Sequence, residues 1–164
     1  MFRHLIRSDA VEIEAPIERV WEVLVDFGRY GEWNPFTTRV DTDSRVGSPV
    51  DLHVTLGPLR VKQRERIEVV DPPHRLAWST KTGHRLLLSA RREQRLEALG
   101  EGRCRYLTTD AFKGPLTPLV VLLFGRLIRG GFNDMAVALK RRAEGGARVS
   151  RPRRGVTLRG PVRR

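Results

Sequence analysis

The sequence predicts an α+β domain: a curved antiparallel sheet of seven strands around one long C-terminal helix, with two short helices after the first strand. Three observations predict it. A period-two strand beginning at Val11 runs directly into an amphipathic helix. The middle of the chain alternates apolar and polar residues in successive runs separated by turn-forming residues. The last third carries an apolar stripe at helical spacing.

The first helix opens at Pro16, where the missing N–H would have no intrahelical partner in any case. Ile17, Val20, Trp21 and Leu24 then share one face, Glu18, Arg19 and Glu22 the other, and Gly28 marks a stop. A meander follows. Val50, Leu52, Val54 and Leu56 alternate with Asp51, His53 and Thr55 up to a Gly57-Pro58 turn. Val61, Gln63, Glu65, Ile67 and Val69 form the inner set of the next strand, which breaks at Asp71-Pro72-Pro73-His74. Leu76 and Trp78 begin a strand that ends near Gly83-His84. Leu86, Leu88 and Ala90 lead a longer one to Gly100-Glu101-Gly102, and Cys104, Tyr106, Thr108, Asp110 and Phe112 lie on one face of the last. The C-terminal helix is expected over 116–143, with Phe124, Leu127, Ile128, Phe132, Met135 and Leu139 in one stripe and Gly145-Gly146 as its end. Its start, Leu119 to Phe124, is apolar all round; burial, a cap on a cavity mouth, a membrane contact and a homodimer interface are its alternative uses.

The net charge of +12 is uneven, for seven arginines lie between Arg148 and Arg164 with no acid among them, leaving about +5 for the body. The chain therefore divides into a domain over 1–147 and a basic, disordered tail over 148–164. The tail offers at most weak contact with acidic surfaces; it has no aromatics to stack on bases and no amphipathic pattern, so no specific nucleic acid is expected. No run approaches a transmembrane segment and the start has no apolar signal core, so a cytoplasmic protein is expected. One cysteine, Cys104, excludes an internal disulfide and a multi-cysteine centre. His4, His53, His74 and His84 are scattered without ligand spacing, and neither a metal nor a cofactor is expected.

Register follows from the turns. The Gly100-Glu101-Gly102 loop pairs Leu99 with Arg103, Ala98 with Cys104, Leu96 with Tyr106, Gln94 with Thr108 and Arg92 with Asp110. The Asp71-to-His74 loop pairs Val69 with Leu76, Ile67 with Trp78 and Glu65 with Thr80. The faces that hold Ile67, Trp78, Leu88 and Tyr106 then also hold Gln63, Glu65, Arg92, Gln94, Thr108 and Asp110. A dry core does not accept so many polar groups, whereas a ligand cavity does. The candidate ligand-binding residues are Trp33, Gln63, Glu65, Trp78, Arg92, Tyr106, Thr108, Asp110, Phe132 and Met135. A surface salt bridge between Arg92 and Asp110 is the competing reading of that pair.

The opening from Val11 to Phe27, followed by Tyr30, Trp33, Asn34 and Pro35, resembles the start of the SRPBCC superfamily, the START/Bet v1-like helix-grip proteins. Phe112-Lys113-Gly114-Pro115-Leu116 resembles the strand-to-helix junction of its polyketide cyclase/dehydrase branch, and Leu139-Lys140 with Glu144 resembles that branch's helix ending. The likeness covers about residues 6–144. It implies a helix-grip fold with a cavity between sheet and C-terminal helix. The branch often carries histidine and glutamate where this chain has Thr108 and Asp110, and histidine where it has Arg92.

Three functions fit the residues. One is binding or transport of a small hydrophobic molecule, a lipid or polyketide-like compound. A second is a cyclase or dehydratase in which Glu65 or Asp110 moves protons and Arg92 holds an enolate or carboxylate. A third is a protein-interaction module using the sheet face or the tail.

Overall fold

The computed structural model describes residues 1–82 and 87–147; the arginine-rich tail and His84 lie outside the described residues. The elements are β1 (Arg3–Arg7), β2 (Val11–Ile13), α1 (Ile17–Val25), a 3-10 turn (Phe27–Arg29), α2 (Tyr30–Trp33), β3 (Thr37–Thr42), β4 (Pro49–Leu56), β5 (Leu59–Asp71), β6 (Arg75–Thr82), β7 (Leu88–Gly100), β8 (Arg103–Lys113) and α3 (Thr117–Ala147). One antiparallel sheet runs in the order β1-β8-β7-β6-β5-β4-β3, and β2 also pairs with β8. It grips α3, and the core lies between them, centred on Trp78, Tyr106, Phe132, Met135 and Leu139.

The expected first strand is two strands. Only Ile6 of β1 is buried, so this segment has no period-two signature; its partner β8 makes it a strand, through pairs such as Leu5 with Ala111. Ser8 divides β1 from β2. Its N–H donates to the Thr108 carbonyl at 2.9 Å, and its hydroxyl accepts from the Thr108 N–H at 3.2 Å.

The β7–β8 hairpin has the expected register from Ala98–Cys104 through Arg92–Asp110. Its turn is tighter than expected, because Gly100 rather than Leu99 faces Arg103 and the ladder bulges between Ala98 and Gly100. Ile67 faces Trp78 as expected, but a bulge between Ile67 and Val69 moves Leu76 opposite Val70 and Asp71 opposite Arg75. Helix α1 stops at Val25, and Gly28 lies inside the following 3-10 turn.

Helix α3 begins one residue later than expected and continues through Gly145 to Ala147. Its last turns are clamped to β2. Lys140 pairs with Glu144 at 2.8 Å and donates to the Glu12 carbonyl at 2.7 Å, while Glu144 accepts from the Glu14 N–H at 2.9 Å. Two glycines set how α3 enters and sits. Gly114 turns the chain at φ 128°, where a Cβ would lie 2.3 Å from the Leu87 carbonyl oxygen. A Cβ on Gly131 would lie 2.0 Å from the Phe36 ring, so this glycine lets that ring pack flush against the helix.

Candidate functional site

A cavity of about 310 Å³ lies between the sheet and α3. Leu52 and Val54 of β4, Glu65 of β5, Trp78 of β6, Arg92 of β7, Phe112 of β8, and Phe124 and Phe132 of α3 contribute to its wall. Phe36, just before β3, completes its inner end. Exposure grades along it: Trp78 and Phe132 are 1% exposed, whereas Leu59 on the β4–β5 side is 45% exposed. The cavity thus has a buried polar floor around Arg92 and a mainly apolar mouth, with Gln63 at its rim.

Arg92 is the unusual group on that floor. It is 5% exposed. Its Nε donates to the Thr108 hydroxyl at 3.3 Å, one Nη to the Thr37 hydroxyl at 3.3 Å and the other to the Met135 sulfur at 2.9 Å. Its Cζ lies 4.6, 5.2 and 5.8 Å from the ring centres of Phe132, Phe36 and Trp78. Burying a charge costs several kcal/mol, and a cation on an aromatic face recovers about 0.5–2 kcal/mol per favourable contact. Three rings and three neutral acceptors therefore offset part of that cost, with no ionised partner in the set.

Asp110 faces Arg92 across the β7–β8 ladder, as the turn predicts. The surface salt bridge, the competing reading of this pair, is not made. The guanidinium turns to the rings and hydroxyls, and Asp110 Oδ1 is buried without a protein partner. Burial pushes the Asp110 carboxyl up to about 7 against the pull of Arg92. Burial, reinforced by Asp110, pushes Glu65 up to about 8, again opposed by Arg92. Two acids thus hold protons close to neutrality beside one fixed cation.

Of the ten candidate residues, Gln63, Glu65, Trp78, Arg92 and Phe132 line the cavity together, with Gln63 exposed at its rim. Thr108 and Met135 stand behind the wall and hold Arg92. Tyr106 also stands behind it, donating to Gln94 Oε1 at 2.8 Å, and burial pushes its hydroxyl up to about 12. Asp110 reaches the cavity only through the field it shares with Arg92 and Glu65.

Trp33 does not belong to this site. It packs edge-on against Tyr30 at 5.0 Å and borders an outer cleft with Arg29 and Arg142. The adjoining Asn34 explains the local sequence. Its buried side-chain oxygen accepts from the Phe36 and Thr37 N–H groups at 3.1 and 2.9 Å, forming the turn that delivers Phe36 inward. Sequence periodicity misses Phe36 and Thr37 because the β3–β4 ladder slips between Thr37 and Arg39. Cys104 is buried with its thiol pushed up to about 11, first by burial, which makes it an inert core residue. Among the described residues no three His, Cys, Asp or Glu gather to share a metal ion, and no helix is long and apolar enough to cross a membrane.

The sequence pattern of a family described as polyketide cyclase / dehydrase and lipid transport matches residues 7–144. No curated protein matches the chain. Solved structures share the fold. The Zhui aromatase/cyclase from Streptomyces sp. R1128 superposes with a TM-score of 0.66 at 21% identity, over 86% of this chain and 96% of that one. Norcoclaurine synthase from Thalictrum flavum, in complex with dopamine and hydroxybenzaldehyde, gives 0.67 at 17% identity over 88% of each chain. A START superfamily protein from Mycobacterium smegmatis gives 0.66 at 19% identity over 87% of this chain and 98% of that one.

Proposed function

The chain belongs to the polyketide cyclase / dehydrase and lipid transport family, and from that premise we propose that it binds a small hydrophobic molecule between sheet and α3. The observation that carries this reading is the cavity itself: an apolar wall around a few convergent polar groups, which is the make-up of a small-molecule site. Transport of a lipid or polyketide-like compound is the activity such a cavity serves without further chemistry.

The test compares the two faces of the sheet with a neutral probe, N-phenyl-1-naphthylamine. Trp78 lines the cavity, whereas Arg64 lies on the outer face, paired with Asp51 at 2.7 Å. Trp78→Ala removes apolar contact worth about 1.5–3 kcal/mol, so its Kd should rise at least ~10-fold, while Arg64→Ala should leave binding unchanged. Equal effects from both faces would refute the reading.

A second reading, cyclisation or dehydration of a polyketide-like substrate, is favoured by one observation. Glu65 holds its proton near neutrality in the same wall as Arg92. An acid beside a fixed cation can protonate a reacting oxygen and stabilise an enolate. In that case Glu65→Gln should fold and bind but lose turnover. Unchanged turnover would remove Glu65 from the chemistry.

A further inference from the structure

We propose that the cavity takes a monoanionic amphiphile, its carboxylate head bonded by Arg92 and its apolar chain extending toward Leu59 and Phe124. This rests on the reading of the cavity as a binding site and adds the ligand's charge and orientation.

Arg92 lacks partners for part of its fork. A guanidinium has five N–H donors in a planar fork. Three are used, one on Nε and one on each terminal nitrogen, all toward neutral atoms. One N–H on each terminal nitrogen is left over. A carboxylate accepts N–H groups from a guanidinium with both of its oxygens. The side chain is 5% exposed and lines the cavity, so the leftover donors have little bulk water to turn to. The Trp78 indole N–H, in the same wall, also has no protein partner. The floor therefore presents surplus donors and a surplus positive charge.

The neighbourhood sets the ligand's charge at one. Phe132 and Met135 face Arg92 from α3, Phe36 and Thr37 from the β3 approach, and Trp78 from β6; none carries charge. The titratable groups within its field are Glu65 on β5, Tyr30 on α2, and Tyr106 and Asp110 on β8. A dianionic head such as a phosphate monoester would place two charges against one cation beside two acids. A monoanion is balanced. Beyond the floor the wall toward the mouth is mainly apolar, with Gln63 and Thr80 its polar members, which fits an alkyl or aryl chain.

The experiment is calorimetric titration of the folded chain with decanoate and decan-1-ol, which share a chain and differ in the head. At pH 6.5 decanoate should bind at least ~10-fold tighter than decanol, the scale of one charge-assisted pair. Arg92→Gln should abolish the difference between decanoate and decanol, and Arg92→Lys should restore part of it. In the unaltered chain, raising the pH from 6.5 to 9 ionises Glu65 and Asp110 and should weaken decanoate several-fold, by roughly the repulsion of nearby like charges, while leaving decanol unchanged. This arm stands even where the Arg92 variants do not fold. Decanoate binding no tighter than decanol, or insensitive to pH, would overturn the proposal and leave the hydrophobic-cavity reading intact. Binding of neither probe would overturn both.

Discussion

Replacing Glu65 by glutamine should make the protein more stable above neutral pH and leave it unchanged in acid. In the unfolded chain this carboxyl loses its proton near its ordinary value of 4.5; in the fold it holds it until about 8. The sign follows directly. Between those two values the unfolded state binds fewer protons than the native state, so stability falls as pH rises, then levels above the folded value. At about 1.4 kcal/mol per pH unit, the loss attributable to Glu65 between pH 4.5 and pH 7 reaches about 3 kcal/mol, an upper bound because Asp110 supplies part of the shift. Glutamine keeps the shape and cannot ionise. Urea unfolding at pH 5, 7 and 8.5 measures the effect. Glu65→Gln should lie within about 1 kcal/mol of the unaltered protein at pH 5 and exceed it by about 3–4 kcal/mol at pH 8.5, with an unchanged m-value. Parallel stability curves across this range would show that Glu65 is ionised in the fold and would refute the account of a protonated cavity acid.

Adjacent glycines in α3 should respond oppositely. Gly130→Ala meets nothing within 4 Å and should stabilise the protein by up to about 1 kcal/mol, the helix-propensity gain. Gly131→Ala gains the same propensity but drives a methyl group into Phe36, so thermal melting should show a net loss of about 1–2 kcal/mol. A stabilised Gly131→Ala variant would mean that Phe36 does not hold its place under the helix. Gly114→Ala should be more damaging, by at least about 2 kcal/mol, because its positive φ is strained for alanine and the atom it would strike is backbone. A neutral result in thermal melting would contradict the close approach of Leu87.

How much was legible depended on distance along the chain. Local pattern and turn chemistry fix a hairpin, because its strands are joined by a few residues and each side chain's face follows from counting outward. The opposition of Arg92 and Asp110 was readable for that reason, and so was the inward face of Glu65, Trp78 and Tyr106. Bulges escaped the counting. One extra residue near Glu68 moved Leu76 from Val69 to Val70, and the slip after Thr37 hid Phe36 and Thr37 from any alternation.

The sequence by itself determined the helix-grip architecture, the inner faces of the meander and the set of polar groups turned toward α3. Tertiary structure alone decided what those groups do with one another. It made β1 a strand, because a segment with one buried side chain is defined by its partner β8 and not by its own pattern. It placed Trp33 outside the cavity and Phe36 within it, through a side-chain turn at Asn34 that no periodicity encodes. It also turned Arg92 away from the acid opposite and into a cage drawn from three separate segments, Phe36, Trp78 and Phe132. Backbone register sets which Cα atoms face each other; where a long guanidinium ends depends on rotamer freedom and on rings brought from distant parts of the chain, and only the packed core fixes those.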